Sequence, residues 1–234
     1  MEEQKLNSIV NSTKPKPNIK IKICGVGGGG GNILTRMYKK KTEGVDFIAI
    51  NTDMQGLHFT KADKKVNIGL NTTKGLGAGM DPELGKKSAE ENAKEIEDIL
   101  QGADLIFITC GLGGGTGSGA APIIAQIAKK TGALTVGVVT KPFTFEGVKR
   151  KEVADIAWNK LYSHLDSLIT IENDRVWNVI EKETPILDAF KEIDEILRQG
   201  VQGIADLINY PGIVNLDFAN LRTILTNAGE SIIG

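Results

Sequence analysis

Three short glycine clusters constrain this chain more than any other feature. Of the 28 glycines in 234 residues, six lie between Gly25 and Gly31, three between Gly75 and Gly79, and six between Gly111 and Gly119. Dispersed glycine would loosen a chain. Clustered glycine marks backbone that must turn sharply or come close to another group. The first and third clusters follow apolar, β-branched runs (Lys20 to Val26, Asp104 to Thr109) and precede helical patterns (Asn32 to Lys41, Gly119 to Lys130). Further strand-like runs, Asp46 to Ile50, Val66 to Ile68, Ala133 to Thr140 and Ser167 to Ile171, alternate with helical patterns at Ser88 to Leu100 and Glu146 to Leu165. Ser88 and Glu91 have the spacing of a capping box, which predicts a helix start at Ser88. Continuously apolar strands are covered on both faces, and alternation of strand with helix predicts a doubly wound, mainly parallel α/β sheet. From Ile186 to Ile208 the apolar residues Ile186, Phe190, Ile193, Leu197, Val201, Ile204 and Ile208 recur every three or four positions, which predicts one long amphipathic helix. A last helix is expected over Asp217 to Thr226.

In an open parallel sheet, ligands bind beyond the carboxyl ends of the strands. Both large glycine clusters lie there, and the helices that follow them offer free amides and a positive dipole end to an anion. A phosphate fits. No P-loop string with its lysine exists. Gly25, Gly27 and Gly30, with Asp53 as the later acid, meet the outline of a dinucleotide fingerprint, so an oxidoreductase stays open. One pyrophosphate leaves the Gly111 to Gly119 cluster without a task, however, whereas a triphosphate can use both loops.

Composition removes other classes. With 28 Lys+Arg against 29 Asp+Glu the formal charge is −1, so neither nucleic acid nor an anionic membrane surface is expected to be held by bulk charge. Aromatic residues make up 5%, too few for a base-stacking platform. No run of 18 apolar residues occurs, so no direct membrane insertion is expected. Cys24 and Cys110 each end an apolar run without metal-ligand spacing and are expected to be reduced, buried thiols; no side-chain metal site is expected. Residues 1–18 are polar and read as a disordered tail without a secretory segment.

Taken together, several strings resemble the tubulin/FtsZ family, in particular FtsZ, the tubulin-like bacterial division GTPase. They are Gly25-Val-Gly-Gly-Gly-Gly-Gly-Asn32, Asn51-Thr-Asp53, Gly75-Leu-Gly-Ala-Gly79 and Gly113-Gly-Gly-Thr-Gly-Ser-Gly-Ala-Ala-Pro122, followed by Lys141-Pro-Phe-Thr-Phe-Glu-Gly147, Asn173-Asp-Arg175 and Gly200-Val-Gln-Gly-Ile-Ala-Asp206. The resemblance runs in order from about Ile19 to the last residue. It implies GTP/GDP as the nucleotide, with Mg²⁺ held mainly through phosphates and water. It implies a disordered tail over 1–18, a GTP-binding α/β domain over 19–184, a central helix and catalytic loop over 185–216, and over 217–234 the start of a smaller subdomain that family members carry beyond this point.

The same resemblance implies the site residues. Gly28, Gly29, Gly30, Gly31 and Asn32 would lie on the phosphates, and Gly114, Gly115, Thr116 and Gly117 would wrap them. Ala78 and Gly79 would sense the γ-phosphate, and Asn51 and Asp53 belong to the nucleotide site as well. Glu146 and Arg150 would take the ribose side, Asn173 and Asp194 the edges of guanine, and Phe190 its face. By pattern alone, an i,i+4 ion pair on a solvated helix is the alternative for Glu146 and Arg150, and core packing is the favoured reading of Phe190. The catalytic loop of one subunit would enter the site of the next through Asn215, Asp217 and Asn220. The family's Asn-x-Asp-Phe-Ala-Asp reads Asn215-Leu-Asp217-Phe-Ala-Asn220 here. An amide cannot accept a proton, so slow hydrolysis is expected, or GTP binding with very little hydrolysis. Asp217 is also a good helix N-cap by type. The implied partners are further copies of the chain, head to tail, with membrane-tethering and regulatory division proteins, and the implied place is the cytoplasmic division site. Without the smaller subdomain, part of the apolar stripe from Ile186 to Ile208 is expected to lie uncovered.

Overall fold

The computed structural model describes residues 19–40, 44–177, 184–209, 218–226 and 228–231. Among the described residues seven strands form one sheet: β1 (Ile21–Val26), β2 (Val45–Asn51), β3 (Lys64–Asn67), β4 (Leu105–Gly111), β5 (Leu134–Lys141), β6 (Ser167–Glu172) and β7 (Gly229–Ser231). The order across the sheet is β3-β2-β1-β4-β5-β6-β7, and every neighbouring pair is parallel. The chain steps outward from β1 to β2 and β3, then returns to place β4 on the other flank of β1. That reversal is the crevice where open α/β sheets hold ligands. The register sets Gly25 against Thr109 and Val26 against Cys110, so both large glycine clusters leave adjacent strands at one edge.

The helices are α1 (Gly27–Met37), α2 (Met54–Phe59), α3 (Leu70–Thr73), α4 (Pro82–Glu91), α5 (Ala93–Leu100), α6 (Gly115–Lys130), α7 (Val148–Tyr162), α8 (Asn173–Trp177), α9 (Ile186–Asn209) and α10 (Phe218–Leu225). Alternate strand residues point to opposite faces. Cys24, Val26, Ile106 and Ile108 pack under α4 to α7, while Ile23, Phe47, Phe107 and Val136 pack under α1 and α9. Each Val, Ile or Phe side chain so buried contributes roughly 1.5–3 kcal/mol. The thiols of Cys24 and Cys110 are buried as expected, and desolvation pushes each up to about 12. Of the apolar repeat in α9, Ile193, Leu197 and Val201 are buried, whereas Ile186 and Phe190 are exposed. Ile204 is half-buried, and the side chain of Ile208 lies outside the described residues.

Several local expectations need correction. Helices α1 and α6 start inside the glycine runs, at Gly27 and Gly115, rather than after them. Each helical glycine costs up to about 1 kcal/mol relative to alanine, so propensity argues against these turns. Close packing overrides it: a Cβ on Gly117 would stand 2.4 Å from the Gly111 carbonyl oxygen. The helix expected from Ser88 to Leu100 is two helices that break at Asn92, where φ is −104° and ψ is 23°. The first of them starts earlier. Asp81 caps it by accepting from the Glu83 amide, and Pro82 stands in the first turn. Ser88 is therefore not a cap, because its hydroxyl donates within the helix to the Leu84 carbonyl. The strand β7 is only three residues long and carries no periodic signal.

Glu91, the other half of the expected capping box, serves a different helix. It accepts from the amides of Asn71 and Thr72 and from both their side chains, closing the N-terminus of α3. These bonds, the Asn71 amide foremost, hold its carboxyl below the ordinary carboxylate value of 4.5. A depressed carboxyl contributes stability at neutral pH that is lost as pH falls through its folded value. In Glu91→Ala, hydrogen exchange of the Asn71 and Thr72 amides is expected to quicken about tenfold while the strand amides stay protected. Unchanged exchange at those two amides would refute the capping role.

Candidate functional site

A cleft of about 350 Å³ opens at the carboxyl edge of the sheet, over the ends of β1, β4, β5 and β6. Its floor is Gly27, Gly28 and Gly29 from the start of α1, with Gly111, Gly114, Gly115, Thr116 and Gly117 from the loop entering α6. Gly113, at φ +104°, turns that loop in a conformation open mainly to glycine. Its amide donates to the Ser118 hydroxyl at 2.8 Å, so the signature's serine holds its own loop. The middle glycine cluster is tied to the same place. The Gly115 amide donates to the Gly79 carbonyl at 2.9 Å, the Gly77 amide donates to the Thr52 carbonyl, and the hydroxyls of Thr52 and Thr116 bond at 2.6 Å. Three distant sequence clusters thus form one backbone cradle.

The opposite wall carries the side chains. Glu146 accepts from the Phe143 amide at 2.9 Å and from the Arg150 guanidinium at 2.8 Å. The pair sits on the cleft's rim, with the Glu146 side chain 14% exposed. Asn173, just after β6, is 4% exposed, and its Oδ1 has no hydrogen-bond partner among the described residues. A buried polar atom left unpaired costs about 1–3 kcal/mol, and this one lies in the wall of the cleft. Phe190 lies edge-on to Phe143, ring centroids 5.3 Å apart, and is 36% exposed, which leaves it able to meet a planar group. Asp194, one turn further along α9, pairs with Arg36 at 3.1 Å. Burial pushes the Asp194 carboxyl up to about 6, against the pull of Arg36.

The cleft thus collects Gly28, Gly29, Asn32, Gly79, Gly114, Gly115, Thr116, Gly117, Glu146, Arg150, Asn173, Phe190 and Asp194 from the expected site. Gly30, Gly31, Asn51, Asp53 and Ala78 do not line it. Gly30 faces inward, where a Cβ would stand 2.5 Å from the Thr109 carbonyl, and Gly31 packs on Thr60. The Asn51 side chain accepts from the Asp53 amide, and Asp53 caps α2 through the amides of Gln55 and Gly56. Ala78 is buried, and its carbonyl accepts from the Asp81 amide. These five shape the loops from behind. Asn215 and Asp217 lie outside the described residues, and Asn220 is exposed on the first turn of α10.

Sequence reasoning did not place Val26, Gly27, Gly111, Leu112, Thr140, Pro142 or Ile193 in the site, although all line the cleft, nor Arg36 behind Asp194. Thr140 and Pro142 were readable, since they flank the carboxyl end of β5 at the same edge. Among the cleft-lining residues no lysine occurs, and both carboxylates are already paired. An anion there is met by loop amides and the N-termini of α1 and α6.

The Tubulin/FtsZ family GTPase domain matches residues 20–181. An empty FtsZ dimer from M. jannaschii is 44% identical over 98% of this chain and 65% of that one, with a TM-score of 0.88. A tryptophan-to-tyrosine mutant of FtsZ from the same organism is 44% identical over 99% and 68%, with a TM-score of 0.89. The GTPγS-bound protofilament of CetZ2 from Haloferax volcanii is 25% identical over 92% and 64%, with a TM-score of 0.78. The chain therefore spans about two thirds of the length of these relatives. The motif strings, the parallel sheet and these matches agree, and the chain belongs to the tubulin/FtsZ family through its GTPase domain.

Proposed function

We propose that this chain binds GTP in the cleft and hydrolyses it as a subunit of a head-to-tail filament of the division-ring type, in the cytoplasm. The observation that carries the nucleotide part is the cradle itself. Loop amides from three glycine clusters meet a paired Glu146–Arg150 rim, an unsatisfied Asn173 and an exposed Phe190 in one cleft. Triphosphate, ribose and base each find chemistry that suits them: amides and helix dipoles for phosphate, a carboxylate for ribose hydroxyls, and an aromatic face with amide and carboxylate groups for guanine. Among the described residues no cluster of acids or histidines could hold a metal alone. A Mg²⁺ bound here would be coordinated by phosphate oxygens and water, and would supply charge neutralisation during phosphoryl transfer. FtsZ is recorded as a dimer and CetZ2 as a protofilament; these relatives support self-association here.

Two measurements test the reading. Gentle purification followed by nucleotide extraction is expected to release a guanine nucleotide; NAD(H) instead would overturn it in favour of the dinucleotide alternative. Phosphate release with Mg²⁺, read beside sedimentation, separates the filament GTPase from a subunit that binds but scarcely turns over. Asn220 motivates that second reading, since the family pattern that the sequence resembles implies an acid at this position. Asn220→Asp is expected to raise turnover about tenfold or more, within the range that a positioned base supplies. If the variant and the parent release phosphate equally fast, Asn220 is not what limits the rate.

A further inference from the structure

The base end of the cleft contains an ion pair between two elements. Arg36, on α1, reaches Asp194, on α9, with Nε 3.1 Å from Oδ2. Its Nη1 also donates to the Lys191 carbonyl at 3.3 Å, so one guanidinium grips α9 at two points a turn apart. Asn32, one turn earlier on α1, lines the cleft, whereas Arg36 does not and stands behind the carboxylate. We propose that Arg36 is a positioning residue that sets base selectivity, fixing the Asp194 carboxylate in place from behind while its free lone pairs face the base. The inference rests on the reading of this cleft as a guanine-nucleotide site.

The chemistry requires such a group. Guanine offers two donors on one edge, N1–H and the C2 amino group, and only an ionised carboxylate accepts both without a competing donor of its own. A carboxylate this deep in a cleft is driven toward its protonated form, and Asp194 stands at about 6 with Arg36 in place. Each carboxylate oxygen can accept more than one hydrogen bond, so Arg36 on Oδ2 does not exhaust the acceptor. Among the described residues, most other charges near Asp194 have partners of their own. Asp188 pairs with Lys191, Glu195 with Arg198, and across the cleft Glu146 with Arg150, while Glu192 is exposed to solvent. Among the described residues, Arg36 is the charge that acts on Asp194 in favour of its ionised form.

The sign of the pH effect follows. In the parent protein guanine affinity is expected to fall as pH drops through about 6, where Asp194 takes up a proton. Without Arg36 that loss moves to higher pH. The test uses Arg36→Ala and Arg36→Lys in the full chain. One readout is carbon-13 titration of the Asp194 carboxyl in nucleotide-free protein. The other is calorimetric binding of GDP and of inosine diphosphate, which lacks the C2 amino group, from pH 5.5 to 8.5. In Arg36→Ala the Asp194 midpoint is expected to rise by about one pH unit. GDP affinity is expected to fall about twofold at pH 7 and about eightfold at pH 5.5 and to match the parent by pH 8.5, and preference for GDP over inosine diphosphate is expected to shrink most at the acid end. Arg36→Lys keeps the charge and is expected to titrate close to the parent. An unmoved Asp194 midpoint overturns the proposal whatever the nucleotide, as does an equal, pH-independent loss of both nucleotides. If the parent binds neither nucleotide, the guanine reading fails instead, and the titration still reports on Arg36.

Discussion

Gly115→Ala is expected to weaken guanine-nucleotide binding about 100-fold and to lower the melting temperature, while its neighbour variant Gly114→Ala leaves the free protein as stable as the parent. The contrast comes from what each new methyl would meet. A Cβ on Gly115 would stand 2.7 Å from the carbonyl oxygens of Ala78 and Gly79 and 2.9 Å from that of Asp81. All three are backbone atoms, so no side chain can rotate away. The loop over residues 78–81 must shift, and the bond from the Gly115 amide to the Gly79 carbonyl goes with it. Overpacking of this kind costs about 1–3 kcal/mol, and a cost at the upper end borne only by the binding-competent loop amounts to about 100-fold in affinity. Among the described residues, Gly114 has no atom within 4 Å of its would-be Cβ, and it sits at φ −102°, ordinary for any residue. Any loss of affinity in Gly114→Ala therefore reports the approach of the ligand itself. Thermal melts and calorimetry of the two variants check this. Binding by Gly115→Ala within threefold of the parent would show that the joined loops are not the cradle.

That pair of residues also shows how far the sequence could be read. The strands ending in Val26 and Gly111 were legible because each is a continuous apolar run that stops at glycine, and their parallel arrangement followed from the intervening helices. The joining of the second glycine cluster to the third was not legible, since it depends on a hydrogen bond between residues 79 and 115 that no local pattern encodes. Helix starts were misplaced where tertiary packing imposed helix on glycine, as at Gly27 and Gly115, and where an i,i+3 Ser–Glu spacing inside a helix imitated a cap. Phe190 fits the apolar stripe of α9 by its spacing, yet the stripe turns outward at its N-terminal end and exposes the ring to the cleft. Arg36 could not have been paired with Asp194 from spacing, because the two come together only where α9 crosses α1.

Asp194→Asn is expected to exchange the nucleotide preference rather than merely weaken it. The carboxylate of Asp194 faces the cleft beside Phe190 and the unsatisfied amide of Asn173, where the edge of a base would lie. An asparagine there still accepts from N1–H through its carbonyl, but its amide now points a donor at the guanine amino group, which is also a donor. Two charge-assisted bonds are reduced to one neutral bond plus a clash of donors, and hydrogen bonds to charged groups carry about 1.5–3 kcal/mol each, so GTP affinity is expected to fall on the order of 10³-fold. Xanthine carries a carbonyl at C2, so the same amide that repels guanine donates to it. Xanthosine triphosphate is therefore expected to bind Asp194→Asn better than GTP does, and the parent much less well. Arg36 loses its partner in this variant, but its side chain is 33% exposed and water can solvate it, so the fold should hold and the melting temperature should stay near the parent's. Competition among GTP, inosine triphosphate and xanthosine triphosphate reads the exchange directly. A variant that binds all three equally poorly would place the base elsewhere in the cleft and leave Asn173 as the residue to test next. A variant that keeps its preference for GTP would mean that Asp194 serves Arg36 alone, joining α1 to α9 without ever meeting the base.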